Sequence, residues 1–125
     1  MIKTAISAIL SLIFIITLSV YECHFVNTTF ERMHAILQSL YEKTENSIAT
    51  HEDGMVAQKF WLEKKKTLHI WLPHTAINTV DSQLSEALGY LYDGKYTDAL
   101  PKLEVLIDFS ENIPRSFKLL PENIF

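Results

Sequence analysis

Hydrophobic and polar positions along this chain follow two different regimes. From Thr4 to Tyr21 the stretch "TAISAILSLIFIITLSVY" holds no charged residue. At 1.5 Å per residue a helix over this run spans roughly 27 Å, close to a hydrocarbon core of about 30 Å. Lys3 precedes the run and Glu22 closes it. After that the apolar residues recur at helical spacing instead. Val26, Phe30, Met33, Ile36, Leu37, Leu40, Tyr41 and Ile48 fall on one arc at 100° per residue, which predicts an amphipathic helix over 26–48. Thr28 with Glu31 fits a capping box that would start this helix afresh. Equally, nothing breaks the chain before "THEDG", so the apolar helix can run straight through. Gly54 is the first residue that suits a chain reversal.

A second amphipathic helix is predicted from about Met55 to Leu72, with Ala57, Phe60, Trp61, Leu68, Trp71 and Leu72 on one face. Lys64 falls inside that arc, where its aliphatic stem covers apolar surface. Lys65 and Lys66 point to solvent. Pro73 interrupts, since it disfavours helix in the residue before it and suits a first turn. A third helix runs from about Thr75 to Tyr92, its stripe made of Ile77, Val80, Leu84, Ala87, Leu88 and Leu91. Gly94 in "YDGKY" supplies a left-handed cap. A fourth runs from near Thr97 to about Asn112, with Ala99, Leu103, Leu106, Ile107, Ser110 and Ile113 inward. Pro101 sits in its first turn, where the N–H groups are unpaired anyway, and Pro114 stops it. The tail "RSFKLLPENIF" carries Phe117, Leu119, Leu120, Ile124 and Phe125, which are expected to pack back on the bundle. The fold class that follows is all-α: an N-terminal transmembrane helix, then a small antiparallel bundle of three or four amphipathic helices joined by short links. Residues 1–21 form the anchor and 22–125 the bundle.

Composition agrees. With 3 glycines and 4 prolines in 125 residues, the chain lacks the turns a β-sandwich or barrel needs. The net charge is −4 and the only strong basic cluster is Lys64-Lys65-Lys66, so nucleic acid is not an expected partner. Cys23 is the single cysteine, which excludes an internal disulfide framework and a cysteine zinc site, and leaves only a crosslink between copies. The apolar run could also be a cleaved signal peptide, but Val20, Tyr21 and Glu22 lack the small residues that cleavage wants. Retention as a signal anchor is the expectation, with membrane lipid around residues 4–21. The basic N-terminus then stays in the cytoplasm and 22–125 lie outside it in a single-pass topology.

The stretch "FWLEKKKTLHIWLPHTAIN" gathers the residues most suggestive of a site. His74 can be read as a general base or metal ligand oriented by Asp81, or as a histidine at a helix N-terminus bonding to backbone across the joint. "HED" at 51–53, with His69, offers possible ligands, yet five scattered histidines show no metal-binding spacing. Glu22, Glu31, Glu42 and Glu45 read as a solvated face. Trp61, Trp71 and Phe60 follow the helix stripe and read as core, with an interfacial aromatic belt or a binding hot spot as the other readings. Trp61, Trp71, Pro73, His74, Ile77 and Asp81 are the candidate interaction or joint residues. No catalytic residue, cofactor or metal is assigned, because no nucleophile elbow, P-loop or dinucleotide fingerprint occurs.

The "W…LPH…I" joint, the hairpin "DGKYTDALPKLEVLIDFSENIP" and the ending "LPENIF" together resemble the family catalogued as domain of unknown function 4363. These are short membrane-anchored helical proteins, found mainly in spore-forming Gram-positive bacteria. The resemblance spans most of the chain and is most specific from Trp71 to Leu88 and in "ENI". Family members commonly carry an acidic residue on each side of the histidine; here Pro73 and Thr75 flank His74, and Asn78 stands where an acid is usual. The resemblance implies architecture and compartment but no reaction. "GKYTDALPKLEVL" also resembles one tetratricopeptide-type helix, though no second copy follows at a fixed period. The function expected is that of an accessory or scaffold protein of a bacterial envelope or spore-membrane complex, partnered by another membrane protein or by itself. The alternative is a metal-binding or hydrolytic protein using His74 and Asp81.

Overall fold

The computed structural model describes residues 1–116, with side chains to Ile113. It is all-helical among these residues: α1 (Ile2–Glu45), α2 (His51–Leu68), α3 (His74–Tyr92) and α4 (Tyr96–Ser116). The predicted packing of 117–125 against the bundle lies outside the described residues.

The two readings of α1 are resolved in favour of continuity. One helix of 44 residues carries both the apolar run and the amphipathic stripe, so the capping box at Thr28 does not form and the 21/22 boundary falls within a single element. The physical reason is plain in the sequence: no glycine or proline interrupts residues 2–45, and without a break the ladder simply propagates. Its two halves live in different surroundings. Ile6, Ile9, Leu10, Ile13, Phe14 and Ile16 are all exposed, whereas Val26, Phe30, Met33, Leu37 and Leu40 are buried in the bundle. The apolar half is long and apolar enough to cross a membrane, and none of it is buried by the rest of the chain.

The chain reverses earlier than expected. α1 ends at Glu45, Ser47 takes φ 56°, and the Ile48 N–H bonds back to the Lys43 carbonyl at 2.9 Å. This is a left-handed helix stop built without glycine. It leaves Ile48 64% exposed, so Ile48 does not belong to the stripe. α2 then starts at His51 rather than near Met55, because Thr50 and Asp53 form a true capping box: the Asp53 N–H donates to Thr50 Oγ1 and the Thr50 N–H to Asp53 Oδ2. Gly54 is therefore inside α2 and buried, not at a reversal. A Cβ there would lie 3.1 Å from Leu88 Cγ, so the missing side chain lets α2 and α3 approach closely.

Pro73 caps the start of α3 in an extended conformation, and the whole predicted stripe from Ile77 to Leu91 is buried. Gly94 adopts φ 71°, and Lys95 N–H bonds to the Tyr90 carbonyl, the left-handed stop that was predicted. α4 buries Ala99, Leu103, Leu106, Ser110 and Ile113. It runs on to Ser116, so Pro114 lies in its last turn instead of ending it. A proline so near the end forfeits one ladder bond, and the helix continues through Ser116.

Side-chain bonds fix how the helices run. Lys43 bonds Asp53 at 3.1 Å, and Lys64 further along α2 shares a groove with Arg32 and earlier residues of α1, so α2 runs antiparallel to α1. The His51 ring meets Tyr92 edge-on at 5.2 Å, so the end of α3 returns to the start of α2. Lys102 pairs with Glu86 at 2.7 Å across α3 and α4. His34 meets Glu111 and Tyr41 donates to Glu104, each at 3.0 Å, so α4 descends antiparallel along α1. The bundle thus has a distal end, holding the α1–α2 and α3–α4 turns, and a proximal end, nearer the apolar half of α1, holding the α2–α3 joint and the last turn of α4.

Candidate functional site

The candidate residues gather at the α2–α3 joint, but not around His74. Trp61 is 2% exposed, and its indole Nε1 donates to Asp81 Oδ1 at 2.7 Å. Lys65 Nζ meets the other oxygen, Oδ2, also at 2.7 Å. Asp81, about two turns into α3, therefore holds α2 with both oxygens. This changes two expectations. Lys65 is not on a solvated face; its ammonium is half-buried on Asp81. Asp81 is turned toward α2, so it does not orient the His74 ring.

His74 opens α3 and is exposed. The cap residue is Pro73, and no side chain caps this helix, so His74 is not the capping group either. Its ring lies 5.4 Å from that of His69, tilted by 58°. Ile77 is fully buried and Leu72 is nearly so, which seats the joint on the core. Trp71 is half-buried, and its Nε1 is buried with no hydrogen-bond partner among the described residues. Two tryptophans ten residues apart on one stripe thus differ: one indole N–H is paired with a carboxylate, the other is not. Lys64 stands 5.9 Å from the centroid of the Phe60 ring, a cation–π contact near the edge of its range. Lys66 is exposed.

The other proposed ligand set does not converge. Asp53 is committed to the cap of α2 and to Lys43, while His51 packs on Tyr92 and Glu52 is exposed. His69 lies beyond the opposite end of the 18-residue helix α2. Among the described residues no group of three or more His, Cys, Asp and Glu side chains stands close enough to hold a metal ion. The bond from the Thr50 N–H is the largest influence on the Asp53 carboxyl; burial opposes it, and Lys43 and the Thr50 side chain add to the lowering, so the carboxyl lies below its usual range. Glu104, as hydrogen-bond acceptor and negative neighbour, pushes the Tyr41 phenol up. Glu31, Glu42 and Glu45 are exposed and Glu22 is half-buried. Cys23 is half-buried at the level where the bundle begins.

Sequence reading did not find the Trp61–Asp81–Lys65 contact or the Thr50–Asp53 box. The first had only a weak signal, since polar residues near the edge of two facing stripes announce no partner. The second was written out as T-x-x-D before a helical pattern, with Asp where the usual box has Glu. Chemically, the joint ties two helices together and presents basic and apolar groups outward. In comparisons with known proteins, the chain matches no family model, no curated protein and no solved structure.

Proposed function

We propose that this chain is a single-pass membrane protein whose bundle stands outside the cytoplasm and serves as an accessory or scaffold subunit of an envelope or spore-membrane complex. The observation that carries the reading is the unbroken α1. Its first half offers a fully exposed apolar surface to lipid, and its second half supplies five buried residues to the bundle core. Such a helix couples a folded unit rigidly to a bilayer, which is what a scaffold requires. Lys3 before the apolar run favours the cytoplasmic side for the N-terminus. The likeness of the joint and of "ENIF" to the domain of unknown function 4363 supports the same compartment, and we extend that family assignment to this chain as part of the proposal.

Two measurements test this. Ile48 is exposed at the distal end, so an Ile48→Cys variant in intact cells reports orientation. Labelling by a membrane-impermeant maleimide is expected without permeabilisation; labelling only after permeabilisation would reverse the topology. Affinity purification of the full chain from detergent-solubilised membranes is expected to bring down a reproducible membrane partner in fixed ratio. A protein that elutes alone and monomeric under mild detergent and after crosslinking overturns the scaffold role.

A further inference from the structure

The α2–α3 joint lies at the same end of the bundle as the anchor, and its surface has the chemistry of a membrane foot. α2 runs antiparallel to α1 from the Lys43–Asp53 bond. Lys64 shares a shallow groove with Arg32 of α1, and that groove continues along α1 through Thr29, Thr28, Phe25 and His24 to Tyr21. The residues after Lys64 continue toward the apolar half of α1 for about another two turns. The joint from 69 to 73 therefore stands within about a turn of the end of the apolar run, where Tyr21 is still 58% exposed and burial in the bundle has yet to begin.

What the joint displays there is unusual for a soluble turn. Ile70 is 70% exposed, as open as residues inside the apolar run. Trp71 beside it is half-buried, with its indole N–H turned inside and without a partner among the described residues, so what it shows outward is ring surface. Tryptophan rings settle at the headgroup level of bilayers. From Lys64 to Val80 the chain has no carboxylate at all, and it carries three lysines and two histidines. Lys65 is committed to Asp81, half-buried Lys64 stands over the edge of the Phe60 ring, and Lys66 is exposed. Arg32 of α1 is exposed and lines the same groove as Lys64. A lone apolar side chain or a lone lysine would carry no weight. Here an exposed isoleucine and a tryptophan gather close to the level where α1 itself places a lipid surface, with two lysines on the turns of α2 that lead to them.

We propose that the α2–α3 joint rests on the bilayer surface, with Ile70 and Trp71 entering the headgroup boundary and Lys64 and Lys66 facing the phosphates of anionic lipid. The partner is lipid, of the same leaflet that the end of α1 leaves, and the inference rests on reading α1 as a membrane anchor. The distal end provides the internal comparison. Ile48 is 64% exposed, close to Ile70, but stands at the far end of α1.

The experiment places single cysteines at Ile13, Ile48 or Ile70 in a full chain carrying Cys23→Ser. The protein is reconstituted in nanodiscs of phosphatidylcholine with phosphatidylglycerol, and a polar maleimide is added. Ile70→Cys is expected to react at least about ten-fold more slowly than Ile48→Cys, the factor that burial of one aliphatic side chain implies. The protection is expected to weaken in pure phosphatidylcholine, at high salt, and in the Lys64→Gln, Lys66→Gln variant. Ile70→Cys reacting as fast as Ile48→Cys, with Ile13→Cys protected, overturns the foot and leaves the anchor standing. Ile13→Cys reacting as fast as Ile48→Cys overturns the anchor and the foot together. Protection of Ile70→Cys that ignores lipid charge and salt overturns the role given to the lysines. All three positions are exposed in the folded chain, so none of these variants disturbs the core.

Discussion

Trp61 and Trp71 carry the same side chain under opposite accounts. Trp61 fills the core and gives its N–H to Asp81, a charge-assisted bond in a half-buried site. Trp61→Phe removes that bond, leaves Asp81 one partner short and opens a void. A loss of about 2 kcal/mol is expected, read as a lower denaturation midpoint with an unchanged slope. Trp71→Phe removes a buried N–H that has no acceptor among the described residues, so its cost is expected to stay within about 0.5 kcal/mol in detergent solution. Equal losses for the two variants would contradict this assignment. At this scale the sequence was legible only in part. Helical spacing placed both indoles on one face, but spacing says nothing about which polar atom each indole would meet. Asp81 was recognised as a candidate and assigned the wrong neighbour. His74, one turn before Ile77, lies nearer along α3, whereas Trp61 and Lys65 reach Asp81 from a different helix.

The helices themselves were legible because each buries one stripe at 3.6-residue spacing, and every predicted position in α3 is buried. The starts and stops were less so. Glycine was expected to mark the first reversal, yet the turn is made by Ser47 at φ 56°, a conformation that strains a side chain bearing a Cβ. Ser47→Gly is therefore expected to stabilise the protein by roughly 1 kcal/mol, seen as a raised thermal midpoint. No gain would mean that Ser47 relieves its strain by a contact of its own. Gly54, in contrast, is held by packing: Gly54→Val is expected to cost about 1–3 kcal/mol, because any Cβ already meets Leu88 at 3.1 Å. The α2 cap brings a pH dependence. The folded-state pKa of Asp53 lies below the unfolded one, so its stabilisation is present above the usual carboxylate pKa of about 3.9 and is lost as pH falls through the lower folded value. Stability measured from pH 6 downward is expected to fall less steeply below about pH 4 in Asp53→Asn than in the parent chain. Identical slopes would show that the cap carries no charge-dependent share.

At the scale of the whole molecule, polar links tie α4 to α1 at His34–Glu111 and Tyr41–Glu104 and to α3 at Lys102–Glu86. They are exposed and contribute little each; they set register, while burial of Leu37, Leu84 and Leu103 supplies the cohesion. The general plan of a long apolar helix followed by a bundle was visible in the alternation of uncharged and amphipathic stretches. What the sequence left open, whether the anchor and the first bundle helix are one piece, turned on a negative feature, the lack of any breaker between residues 2 and 45. The level of the joint relative to the anchor was also hidden, since it depends on the lengths of α1 and α2 together with the direction of each.

An unbroken α1 makes the protein a lever. From Glu22 to Glu45 the helix extends about 35 Å beyond the apolar run. If the apolar half, seated in a bilayer as proposed, leans by about 20°, as spans commonly do, the α1–α2 turn swings sideways by roughly 12 Å. A thinner bilayer increases that lean, so the height and position of the distal turn become a readout of membrane thickness. A side contact of the joint with the lipid would act as a stop on one direction of swing, leaving the opposite direction free.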